Sequence, residues 1–312
     1  MNAKKSVTFG LKLVVLTLIL FLCFTVSYTV SGVFMSSLGV ELPTYSTQTV
    51  EPADTTVALL TVCAFQAIVL SYPIVRSRWT GWRLMTTIFV VHYGIMTFLS
   101  QIETVVFLNY LVDIVPTAMI PYLFIQGAIV AALFSPLAVL IHGKMRGTEK
   151  SREPNRRLVM PWTEWAWKLV SIAVAYVVIY FSFGWLVFMP LAGEAFQGYY
   201  GDLQGPTWIP LLQMARGVIW AALAWPVIRM MKGRWWEAGL AVALLFSVLM
   251  GFLLLLPNAV MPDAIRRAHF VEVTSSNFLF GWVIVWLLNR HHGSLRELFR
   301  RSERLKEREI TL

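Results

Sequence analysis

A chain of 312 residues that is 57% hydrophobic, 14% charged and has a mean hydropathy of +0.66 is not built for water alone, because soluble domains usually carry about a quarter charged residues. Its net charge of +9 raises nucleic acid as a partner, but the placement of that charge along the chain argues against it. The two cysteines, Cys23 and Cys63, both fall in apolar runs, so they give neither a disulfide framework nor zinc-ligand spacing.

Lys4 and Lys5 open the chain and a long apolar stretch comes next. That stretch exceeds the roughly 7–15 residues of a cleavable signal core, so it reads as an uncleaved first helix. Six runs hold no Asp, Glu, Lys or Arg: Leu13–Val40, Thr55–Val75, Leu84–Ile102, Ile114–Gly143, Leu169–Gly193 and Ala238–Pro262. Two more are broken once each, Leu203–Ile228 by Arg216 and Ala268–Asn289 by Glu272. Each is about as long as the roughly 20 residues that cross a bilayer as a helix. Continuous apolar runs also exclude a β-barrel, which needs short alternating strands. The expected fold is an all-α integral membrane protein with eight spanning helices.

With the N-terminus in the cytoplasm, inward-facing segments carry 23 of the 26 basic residues. The outward loops carry Arg266 and Arg267, and Arg216 lies within the sixth span. This is the positive-inside pattern. It predicts cytoplasmic termini and localisation in the inner membrane of a bacterium. The basic charge is then an orientation signal, and no nucleic-acid partner is expected.

Two phrases resemble each other, "YPIVRSRWTGW" (72–82) and "WPVIRMMKGRWW" (225–236). Pro73 and Pro226 are 153 apart, as are Arg76 and Arg229, and Trp82 and Trp235. "VFM" recurs at 33–35 and 187–189, and "FIQG" (124–127) matches "FLFG" (278–281), both 154 apart. "LKLV" (11–14) and "WKLV" (167–170) are 156 apart. Near-constant spacing across four spans points to duplication. Four spans per repeat insert both halves in the same orientation, related by an axis along the membrane normal. The expected organisation is a first four-helix repeat (1–142), a cytoplasmic linker (143–162), a second repeat (163–289) and a basic tail (290–312). Arg76 and Arg229 are expected to reach lipid headgroups, with the nearby tryptophans at the interface. The tail, rich in arginine with Leu295, Leu298 and Phe299 on one side, fits anionic lipid at the cytoplasmic face or plain solvation.

The candidate site comes from polar groups inside the spans, each of which needs a partner or a purpose. Arg216 lies about eight residues into its span, on the order of 12 Å below the outer surface. Glu272 sits near the outer end of the eighth span. An Arg216–Glu272 pair is the expected arrangement, with Glu103 at the outer end of the third span as a further partner. Arg266, His269, Glu272, Ser276 and Asn277 fall toward one face of a helix, and Gln213 precedes Arg216 by one turn. Gln126 lies at similar depth. His92 and Glu103, eleven residues apart, also align.

Three readings compete: interhelical glue, a substrate or ion site, and a catalytic site. His269 and Glu272 could be metal ligands with Glu103 as a third, but H-x-x-E alone is weak, and HExxH, GxSxG and Walker A are absent. "YYGDLQG" (199–205) lacks the first glycine of a G-x-G-D motif. No cofactor is expected. The expected partners are the bilayer and a small-molecule or ion substrate, and an oligomer is compatible with the pattern. The functional expectation is a transporter- or permease-like protein. The alternatives are a membrane enzyme acting on a lipid or periplasmic substrate, and a non-catalytic membrane subunit.

The topology is directly testable. Single cysteines placed in Thr44–Asp54, Asn109–Val115, Glu194–Thr207 and Pro257–Arg267 should react with an impermeant thiol reagent outside intact cells. One at Arg152 should not, and its labelling from outside would overturn the orientation.

Overall fold

The computed structural model describes residues 3–40, 52–106, 117–146, 158–200, 207–257 and 261–289. Among them are eight helices long and apolar enough to cross a membrane. We name them α1 (Ala3–Ser37), α2 (Pro52–Val75), α3 (Gly81–Val106), α4 (Met119–Ile141), α5 (Trp162–Ala192), α6 (Ile209–Met230), α7 (Trp235–Leu255) and α8 (Asp263–Asn289). α3 and α5 each contain a π-helical turn, Gly94–Leu99 and Gly184–Phe188, and α7 tightens into a 3-10 turn at Phe252–Leu255. A short helix, Glu194–Tyr200, comes after α5. The described residues hold no strand. Eight such helices make this a polytopic membrane protein. The linker residues 147–157 and the basic tail 290–312, with its lipid reading, lie outside the described residues.

Helices are what these runs must form, because the hydrocarbon offers no partner for a backbone N–H or C=O. The outward surface is correspondingly apolar: α1 leaves Val7, Leu11 and Leu22 exposed at 72%, 64% and 58%. In water such a surface would be an aggregation site; in lipid it is the solvated face.

α1 packs on α2 and α4, and α3 on α4; α5 packs on α6 and α8, and α7 on α8. Between the two sets, α2 meets α7, and α3 meets α6 and, through its π turn, α7. Close approach depends on small residues, as is usual where no hydrophobic drive separates helix from lipid. A Cβ on Gly281 of α8 would lie 2.8 Å from the Ala243 Cα of α7. A Cβ on Gly127 of α4 would fall on the Thr97 side chain of α3.

The turns after α2 and after α6 bind each other. Arg78 N donates to Met230 O at 2.7 Å and Lys232 N to Arg76 O at 2.8 Å, bridging Ser77 to Met231. Arg76, expected at the headgroups, forms an ion pair with Glu237 in the first turn of α7 while its side chain stays 40% exposed. Arg229 lies over the Trp225 ring at 4.9 Å. Gly233, at φ +89°, closes the second turn, and a side chain there would strike Arg76 and Glu237. Lys168, in the second turn of α5, is fully buried and pairs with Glu164 one turn earlier at 2.6 Å.

Gly281→Ala should therefore lower the midpoint of thermal unfolding of the purified protein, by an amount equivalent to about 1–3 kcal/mol for forced overpacking. Ala at Gly184, where nothing lies within 4 Å of the new Cβ, should not.

Candidate functional site

At the end of the bundle where α3 finishes and α6 and α8 begin, five segments place ionisable groups together. The first group is built on α6. Arg216 is 2% exposed and points inward, forming an ion pair with Glu103 of α3. Gln213, one turn earlier and fully buried, closes a triangle: its amide nitrogen donates to Glu103 Oε1 at 2.9 Å and its oxygen accepts from Arg216 Nη1 at 2.8 Å. Arg216 Nη2 donates to Leu99 O at 3.2 Å, and its guanidinium lies over the Tyr176 ring of α5 at 5.6 Å.

The π turn of α3 prepares this geometry. Such a turn widens the helix, rotates the residues beyond it and disturbs the regular backbone ladder. Here its carbonyls take side-chain donors. Ser100 Oγ lies 2.8 Å from Met96 O and 2.9 Å from Thr97 O, and Leu99 O takes Arg216. Four residues after Leu99 comes Glu103.

The second group is a hydrogen-bonded line on α8. His269 Nδ1 meets Glu272 Oε2 at 3.1 Å, and Tyr200 Oη meets His269 Nε2 at 2.7 Å. An ionised Glu272 only accepts, so it keeps the imidazole proton on Nδ1 and leaves Nε2 to accept from the phenol. Burial first, and then Tyr199, Glu103 and Glu272, push the Tyr200 phenol well above its usual range, so it remains a donor. Phe188, the last residue of the α5 π turn, stacks on the imidazole at 4.0 Å and 15°. The two groups form one cluster: Tyr180 of α5 lies within electrostatic reach of Glu103, Arg216 and Glu272.

The expected Arg216–Glu272 pair is not formed. Glu103 takes the arginine, and Glu272 is held within its own helix by His269. Asn277 is buried on α8, five residues past Glu272. Gln126 is half-buried on α4, which packs chiefly on α1 and α3. His92 is fully buried against Phe134 of α4, apart from the cluster. Arg266 turns to Leu254 O at 2.7 Å and to Asp263 at 2.6 Å. The metal reading of His269 and Glu272 finds no third ligand among the described residues, since Glu103 is engaged by Arg216.

Four aromatic members were missed in the sequence: Tyr176, Tyr180, Phe188 and Tyr200. The only available signal was the aromatic density of "YVVIY" and "FQGYY". No family model, curated protein or solved structure matches the chain.

Chemically, the cluster sets a guanidinium, two carboxylates, an imidazole and three phenols in a medium where charge interactions are strong. Arg216→Met leaves Glu103 without its partner. Breaking a buried pair costs about 3–5 kcal/mol, and the loss here should fall toward the lower end because Glu103 is 30% exposed and can rehydrate. The double change Arg216→Met with Glu103→Gln should recover most of the unfolding midpoint, whereas Arg216→Met with Glu272→Gln should not.

Proposed function

We propose that this chain is a transporter- or permease-like protein of a bacterial inner membrane, with both termini cytoplasmic and two parallel four-helix repeats. Its polar cluster opens toward the outer face and receives a small polar or ionic substrate. The observation that carries this reading is the Glu103–Arg216 pair. It joins a helix of one half to a helix of the other at membrane depth, where a charged group is rarely kept without a purpose. A carboxylate that is part exposed and part held is also reachable by solute.

The repeat reading is supported by the bridged turns. Adding 154 to the first hydrogen bond, Arg78 to Met230, and exchanging the halves gives the second, Lys232 to Arg76. That reciprocity is what a two-fold axis between Ser77 and Met231 requires. Packing supports it too: α1 on α2 and α4 corresponds to α5 on α6 and α8, and α2 on α7 corresponds to α6 on α3. Gly127 and Gly281, 154 apart, both lie where a neighbouring helix comes close, though against residues at different levels of that helix. With this axis and the positive-inside charge, the cluster lies in the outer half.

The test is a thermal-shift screen of the protein in nanodiscs against organic acids, amino acids, amines and inorganic ions. Flux of the hits is then measured in proteoliposomes. The expected result is flux that Arg216→Met/Glu103→Gln abolishes while that variant stays folded. Wild-type flux in the folded double variant would make the pair structural glue and overturn the assignment.

A second reading is favoured by the Tyr200–His269–Glu272 line, in which a base is oriented by a carboxylate and meets a hydroxyl, the relation that activates nucleophiles in hydrolases. It would make the chain a membrane enzyme acting on a lipid or periplasmic substrate. Under that reading, membranes from cells making the protein should contain a new lipid product that disappears with His269→Gln.

A further inference from the structure

The first half carries an unexplained set of buried polar groups. His92 of α3 is fully buried eleven residues after the helix begins, on the order of 16 Å along the axis and thus near the middle of a bilayer. Neither of its ring nitrogens meets a protein partner among the described residues. One turn on, the Met96 sulfur is reached by Gln66 Nε2 of α2 at 3.8 Å, while Gln66 Oε1, also buried, has no protein partner among the described residues. Phe134 of α4 stands edge-on to the His92 ring at 5.8 Å. Next to it in sequence, the fully buried Ser135 hydroxyl is unpartnered among them as well.

Buried polar atoms are nearly always hydrogen-bonded, and an unmet one is costly. A neutral imidazole presents one donor and one acceptor, and the Gln66 oxygen is a further acceptor. We infer that Gln66 and His92 line a hydrated pocket at mid-membrane depth, whose ligand is water. Water both donates and accepts, and buried waters typically make about three hydrogen bonds. A metal ion does not suit the site, since no three ligating side chains converge among the described residues. The other half offers a contrast. At the 154 offset of the bridged turns, the corresponding residues are Trp220 and Phe246, which are fully buried and pack ring to ring at 4.2 Å. Two aromatic rings there stand in place of the amide and imidazole here, although the Trp220 Nε1 is itself buried without a partner among the described residues. The pocket stands independently of the transport reading.

The experiment is radiolytic hydroxyl labelling of the whole protein in nanodiscs, read by mass spectrometry. Radicals formed from bound water oxidise adjacent methionines even when bulk solvent does not reach them. Met96, 3% exposed, should be oxidised severalfold faster than Met230, which is fully buried in the other half. In Gln66→Leu/His92→Phe, Met96 oxidation should fall to the Met230 rate. Equal rates for Met96 and Met230 in the unaltered protein would overturn the inference, and that arm needs no variant. So would undiminished Met96 oxidation in the folded double variant.

Discussion

A guanidinium only 2% exposed at membrane depth is the constraint around which the cluster is arranged. Arginine stays charged in proteins, so the fold must supply compensation for it. It does so with a carboxylate, a primary amide, a backbone carbonyl and an aromatic face, each from a defined place. Coulomb attraction alone would not suffice, because desolvating both partners can exceed the gain unless the remaining donors are also satisfied. Gln213 and Leu99 O take donors of Nη1 and Nη2, while the buried Nε meets no partner among the described residues. The Leu99 carbonyl stands at the end of the α3 π turn.

The same pair has a mechanical consequence. α3 and α6 come from different halves of the chain, and Glu103 with Arg216 ties them at one end of the bundle. At the opposite end, the turns after α2 and α6 are tied by two backbone hydrogen bonds and by Arg76 with Glu237. The second tie is built mostly of backbone and is insensitive to solute. The first is built of side chains whose charges an incoming solute could rebalance. A ligand shifts an equilibrium only through differential interaction with two states, and the ion pair is where such a difference can arise.

Much of the fold was legible in the sequence because spanning helices announce themselves by uncharged length. The need for a partner to Arg216 was legible for the same reason. The identity of the partner was not. Glu272 was favoured from depth alone, but a histidine three residues earlier on the same helix face competes for it, and a local i,i+3 contact needs no interhelical geometry. Glu103 was legible as a second candidate from its place at the outer end of the third span, but nothing in the hydropathy pattern ranked it above Glu272. Tyr200 was hidden differently, since it sits in a short helix between spans where sequence reading expected only a loop. The partner of Arg76 was not legible, because the rule that end-of-helix arginines reach headgroups ignores what an adjacent turn can offer.

The two halves are polar in different places, and this bears on why the cluster exists at all. At the 154 offset of the bridged turns Arg216 corresponds to Val62, and at the 153 of the repeated phrase to Cys63; both are fully buried. Conversely, Gln66 and His92 correspond to an aromatic pair in the other half. If buried polarity were needed only to hold four helices together, each half would need it at the same level, since each packs its helices in the same order. Instead, the second half brings Arg216, His269 and Glu272 to the end of the bundle, where Glu103 of the first half joins them, while the first half keeps neutral polar groups deeper. Between Glu103 and His92, eleven residues apart on α3, one helix of the first half presents a polar group at each of those two depths.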